Sequence, residues 1–131
     1  MSYTLRPLNL ADHLHLLALM QATARYLARN PGLSFVAEVA DEVVGCLMAG
    51  HDGRRGYLQH LLVLPAYRGQ GIARALVDAC LAALAQEGIA KSHCDVLVSN
   101  AAAQAFWAHL GWARRDDILR FSVITGGEDN A

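Results

Sequence analysis

The residues best placed to do chemistry are Arg68, Gly69, Gln70 and Gly71, within the stretch "YRGQGIARAL" from Tyr67 to Leu76. They lie between an apolar run ended by Pro65 and an apolar helical repeat that starts at Ile72. A helix N-terminus leaves N–H groups unpaired and carries partial positive charge. Glycine lets that backbone approach a ligand with no side chain in the way. Such a loop suits a phosphate or pyrophosphate; an ordinary glycine-rich turn is the other reading. It is not a Walker loop, because Gly-Lys-Ser/Thr is absent. Nor is it a G-x-G-x-x-G fingerprint, because Arg74 stands three residues beyond Gly71.

A second chemical feature is Asp95, a carboxylate in the apolar run "CDVLV". Burial in such a strand would raise its pKa and suit it to proton transfer. A structural partnership with an arginine or a backbone group is the alternative. The histidines do not pair in a ligand motif: His13 and His15 are two apart on a helix, and His51, His60, His93 and His109 are scattered. No metal site is expected. Cys46, Cys80 and Cys94 are odd in number and each sits among apolar residues. They read as buried free thiols in a reducing cytoplasm.

The elements that must hold these groups follow from the pattern. The 131 residues suffice for one domain with one core, 1–131. With 54% hydrophobic residues, 18% charged residues and a net charge of −1, disorder is not expected, nor is a broad grip on nucleic acid or on an anionic membrane. All basic residues but Lys91 are arginine, which suits local recognition of anions. The start lacks a signal-peptide pattern, and no apolar run nears the roughly 20 residues that span a bilayer.

"YTLRPL" reads as a first strand. Asn9 can cap a helix with Leu10, Leu14, Leu17 and Met20 on its apolar stripe, running to about Ala28. "LSFVAEVA", a turn at "DE" and "VVGCLMAG" read as a hairpin, and "YLQHLLVLP" as a further buried strand. Ile72, Leu76, Ala79, Cys80 and Ala83 mark a helix face, closed by Gly88. "SHCDVLVSN" reads as a buried strand and "AAAQAFWAHLG" as a short helix ended by Gly111. "WARRDDILRFSVIT" can supply one or two final strands before a polar tail. The fold class is α/β: a mixed sheet with helices on both faces.

Two segments together carry a resemblance. "VLPAYRGQGIARAL" resembles the acyl-CoA-binding segment of the GNAT superfamily of N-acetyltransferases, whose Arg/Gln-x-x-Gly-x-Gly/Ala loop is met by Arg68, Gly71 and Ala73. "VLVSNAAAQAFWAHLGW" resembles that family's fifth strand and following helix, and comes near the ribosomal-protein alanine acetyltransferases around Ser99 to Ala103. The region between the first helix and the hairpin is short for the family, so part of a substrate flap is expected to be missing.

The resemblance implies acetyl-CoA as cofactor and a small-molecule or peptide amine as acceptor. The main chain of Leu61, Leu62 and Val63 would pair with the pantetheine arm. The loop residues Arg68, Gly69, Gln70, Gly71, Ile72 and Ala73 would cradle the pyrophosphate. Asn100 would bind the arm; capping the next helix is its other reading. Asp95 matches the position where the alanine acetyltransferases place a glutamate base, five residues before the asparagine. Tyr57 is a weaker alternative, and Gln59 beside it cannot act as a base. Trp107 stands where the family's tyrosine acid is usual. Indole donates a hydrogen bond but does not exchange a proton at neutral pH, so a packing role is expected. A homodimer through a final strand is a further expectation. The rival to an enzyme is a degenerate acyl-CoA-binding sensor. The identity of the acceptor is not legible.

Overall fold

A computed structural model describes residues 2–9 and 21–127. The chain divides into two compact units, Met1–Asp95 and Val96–Ala131. The first unit holds a five-stranded sheet in the order β1-β2-β3-β4-β5. Its strands are β1 (Thr4–Pro7), β2 (Phe35–Val39), β3 (Glu42–His51), β4 (Gly56–Val63) and β5 (Ser92–Cys94). Helix α1 (Gln21–Arg29) precedes β2, and helix α2 (Ile72–Gln86) crosses from β4 to β5. All neighbours are antiparallel except β4 and β5, which run parallel. Most of the stripe expected for the first helix, residues 10–20, lies outside the described residues.

Strand β3 is the centre of the core. Seven consecutive residues, Val44 to Gly50, are buried. A strand buried on both faces must be an apolar run without alternation, and β3 is one. Side chains at positions 45 and 50 point to opposite faces. Gly45 lies under Ile72 and Leu76 of α2, whereas Gly50 lies under Tyr26 of α1 and Asn30. The two helices therefore cover opposite faces of the sheet. The buried stripe of α2 is Ile72, Leu76, Val77, Cys80 and Leu84; the expected Ala79 and Ala83 flank it, half-buried. Larger side chains at 77 and 84 fill the contact better than the alanines can. The β2–β3 turn falls at Ala40–Asp41, one residue earlier than expected. Both residues have positive φ (49° and 67°), as the twist of a two-residue hairpin requires.

Two expectations are corrected here. The strand read from "SHCDVLVSN" is a strand only over Ser92–Cys94. Beyond it the apolar side chains are not buried: Leu97 is 74% and Val98 92% exposed. The described part of "WARRDDILRFSVIT" forms no strand at all. A strand needs a neighbour's N–H and C=O groups, and a three-residue β5 offers little ladder to extend. Propensity alone could not reveal that shortage.

In the second unit the one helix among the described residues is α3 (Ala101–His109). It stops at Gly111, whose φ of 90° allows the Trp112 N–H to return to the Trp107 carbonyl at 3.1 Å. Among the described residues no helix is long and apolar enough to cross a membrane.

Candidate active site

The glycine loop sits where the sequence placed it, between β4 and α2. Pro65–Tyr67 form one 3₁₀ turn, Arg68 is extended, and α2 begins after Gly71. Gly69 and Gly71 have φ of 80° and 82°, a region closed to most side chains. A Cβ added at either would meet nothing within 4 Å. The glycines are thus required by backbone conformation, and the space beside them is open. Arg68 Nε donates to the Val63 carbonyl at 3.0 Å, which ties the loop to the end of β4. No side chain caps α2, and its first turn carries no acidic residue. An uncapped 15-residue helix with open glycines in front is a cradle that fits a pyrophosphate.

Beside this loop the sheet opens. Strand β5 pairs with β4 only at Gly56, Tyr57 and Leu58. From Gln59 to Val63, β4 continues against β3 with no β5 partner among the described residues. Where the pairing ends, β4 carries an extra residue: Cys46 faces Leu62, yet Met48 faces Gln59. His60 within this bulge has φ of 59°, unusual for a residue with a side chain. The Cys46 thiol donates to the His60 carbonyl at 3.5 Å. Leu61 and Leu62 are half-buried and Val63 is buried. These side chains pack, no strand among the described residues pairs with this side of β4, and the Val63 carbonyl is already taken by Arg68 Nε. The structure thus brings together Leu61, Leu62, Val63 and the loop Arg68 to Ala73, all within the first unit.

Tyr57 and His93 face one another across β4 and β5, with ring centroids 5.8 Å apart, and Tyr57 is 38% exposed. Gln59 is exposed on the same face, two residues on. Asp95 follows His93 by two, one residue past β5. It is exposed, contrary to the burial expected for it. The apolar residues that seemed to enclose it belong to no strand. Its carboxylate does act on a neighbour. Burial first, and then Asp95, push the Cys94 thiol up to about 11, so Cys94 is not held as a thiolate.

In the second unit, Asn100 caps α3: its Oδ1 accepts the Ala103 N–H at 3.0 Å. Gln104 reinforces the cap by donating to the carbonyls of Leu97 and Val98 at 3.3 and 2.8 Å. Trp107 is buried, edge-on to Phe106 at 5.3 Å and tilted against Trp112 at 4.5 Å. Its ring is part of an aromatic cluster. Among the described residues no group of three His, Cys, Asp or Glu could hold a metal ion.

Sequence reasoning did not single out Tyr26 or pair Tyr57 with His93. Tyr26 looks like any aromatic residue of an amphipathic helix, and the strand register that joins 57 to 93 spans the whole crossover helix.

Known proteins resemble the chain in sequence and in fold. Residues 5–112 match the family described as "Acetyltransferase (GNAT) family", a span that runs across both units. An acetyltransferase of Sodalis glossinidius is 41% identical over 95 residues, covering 72% of this chain and 67% of the relative. One of Pectobacterium atrosepticum is 39% identical over 94 residues, with the same coverage. Among solved structures, a GNAT-family protein of Streptococcus pneumoniae superposes with a TM-score of 0.79 at 22% identity, over 95% of this chain and 98% of its own. An aminoglycoside N-acetyltransferase solved in complex with CoA superposes with a TM-score of 0.76 at 18% identity, over 93% and 95%. The structural matches bear on the fold, and the sequence matches bear on the family.

Proposed function

Because the chain belongs to the GNAT acetyltransferase family, and so transfers acetyl from acetyl-CoA, we propose that its acceptor is a primary amine that attacks directly in a ternary complex. The observation that carries this reading is the edge of β4 to which no strand among the described residues pairs, beside the open N-terminus of α2. One edge offers main-chain groups and the other offers an anion cradle, as a long ligand with a diphosphate at one end requires.

Bound there, acetyl-CoA supplies an activated thioester. This chain's own residues would do the rest. The N–H groups from Gly69 to Ala73 hold the pyrophosphate, helped by the helix dipole. The main chain of Leu61, Leu62 and Val63 aligns the arm. An N–H at the bulge donates to the carbonyl oxygen as charge develops on it. Asp95 takes the proton from the acceptor ammonium, directly or through one water, with Tyr57 as the alternative. Asn100 adds a hydrogen bond to the arm while it caps α3. Trp107 supplies packing and no proton, so water serves the leaving thiolate.

Release of free thiol from acetyl-CoA tests the reading. The panel is an alanine-initiated peptide, spermidine, free lysine and kanamycin, with products weighed for the gain of one acetyl group. Turnover with at least one amine is expected. Saturable CoA binding with no acetylated amine across the panel would contradict the acceptor class.

A further inference from the structure

His51 is the last residue of β3 and pairs with Gly56, the first residue of β4, at the opposite end of that strand from the glycine loop. Its backbone N–H donates to Asn30 Oδ1 at 3.1 Å, just beyond the end of α1. Its ring Nδ1 accepts the Gly53 N–H at 3.0 Å. Its ring Nε2 lies 2.8 Å from a carboxylate oxygen of Glu87, the residue that follows α2. These contacts fix the protonation of the ring. A backbone N–H only donates, so Nδ1 carries no proton. The neutral imidazole then holds its one proton on Nε2, which donates it to Glu87.

The Gly53 bond is one of a set. Asp52 Oδ1 accepts the N–H groups of Arg54 and Arg55, both at 2.8 Å. Three successive N–H groups, at 53, 54 and 55, are thus held by the side chains of His51 and Asp52. A φ of 96° at Gly53 gives the turn its tight bend. One backbone bond, from the Asp52 N–H to the Arg55 carbonyl at 3.2 Å, closes it.

Histidine is the side chain whose charge ordinarily changes between about pH 5 and 8. A second proton, taken from solvent, has only Nδ1 to go to. There it would face the Gly53 N–H donor to donor, and that bond is lost. The Glu87 contact gains, because a neutral hydrogen bond becomes a charge-assisted one. The end of α2 favours the same change. A helix C-terminus attracts a cation, the last turn of α2 has no basic residue, and Glu87 adds a negative charge there. Asp52 on the turn also favours it. Arg54 and Arg55 on the turn oppose it, as do Arg29 beside Asn30 at the end of α1 and Lys91 just before β5. Strand β4 offers only Gly56, with Ser92 of β5 beyond it.

We infer that His51 is a proton-operated latch on the β3–β4 turn. Neutral, it holds the Gly53 N–H; protonated, it releases the turn and grips Glu87 at the end of α2. Strand β3 stays in place in both states, because its bond to Asn30 uses the backbone. What changes is the shape of the turn that presents Arg54 and Arg55. The inference is independent of the acceptor reading above.

The experiment follows the parent and His51→Gln by ¹H–¹⁵N spectra from pH 8 to pH 5. The His51 ring should be the Nε2–H tautomer at pH 8 and the imidazolium at pH 5. The Gly53 amide should move with the same midpoint as the ring, and those of Arg54 and Arg55 should follow. Corrected for the intrinsic effect of pH, the protection of Gly53 from hydrogen exchange should fall about three- to tenfold, the scale of one neutral hydrogen bond. In His51→Gln the Gly53 amide should no longer change over this range. An Nδ1–H tautomer at pH 8, a ring still neutral at pH 5, or a Gly53 amide that does not follow the ring would each overturn the inference. So would a Gly53 change that persists in His51→Gln. Should that variant not fold, the ring and amide of the parent decide alone.

Discussion

At Asp95 the carboxylate is exposed, one residue past the last strand of the sheet, and two roles compete for it. As a base it must reach the acceptor nitrogen. As a structural anion it acts on its surroundings, its neighbour Cys94 among them. Asp95→Asn separates them. The amide keeps the size and cannot accept the proton, so the chemical step should fall about 10²–10⁴-fold with CoA affinity unchanged. A folded Asp95→Asn that matches the parent rate would return Asp95 to the structural role and move the search to Tyr57. Trp107 gives the converse case. Set between Phe106 and Trp112, it should tolerate Phe with most turnover retained, whereas Ala should cost about 3–5 kcal/mol of stability. A well-folded Trp107→Phe with normal CoA affinity but a chemical step lowered by orders of magnitude would contradict the packing role.

At the scale of elements, the turn between β4 and α2 was the most legible part of the chain. Its signals are local: two glycines, a proline and a stripe at spacings of three and four. The structure adds the φ of 82° at Gly71, which sharpens the mutational expectation. Gly71→Val fills the cradle, and it also forces a branched side chain into left-handed backbone at about 1–2 kcal/mol. Calorimetry should find CoA affinity sharply reduced in a protein that is still folded. Unchanged affinity would remove the loop from the site. The cap of α3 was legible in the same way, since asparagine before an alanine run is a start signal. Asn100→Ala should lower stability by about 1 kcal/mol in thermal unfolding. What was not legible is non-local. "CDVLV" has the composition of a buried strand, but burial depends on what covers it, and Leu97 and Val98 are exposed. The alternation at Leu119, Phe121 and Val123 likewise signals strand propensity without naming a neighbour. The meeting of Tyr26 and Asn30 with Gly50 joins the end of α1 to β3, and no short window of sequence contains it.

Taken as a whole, the first unit is a sheet in which β5 pairs with only the first three residues of β4. Its buried protons make a separate expectation. Burial pushes the Cys80 thiol from 9.0 up to about 12 and is the larger cause that takes Cys94 to about 11; the Tyr26 phenol moves in the same direction. The unfolded chain releases these protons first, so stability holds below about pH 9 and falls as pH rises toward 12. Urea midpoints taken from pH 8 upward should decline, and Cys80→Ala should decline less steeply. The central claim is that one continuous line, from the edge of β4 to the N-terminus of α2, holds the acyl-CoA. A titration with CoA followed by backbone ¹H–¹⁵N shifts tests it most directly. The account predicts the largest changes at the amides of Leu61 to Val63 and of Gly69 to Ala73. Saturable binding that leaves both sets unmoved would contradict it.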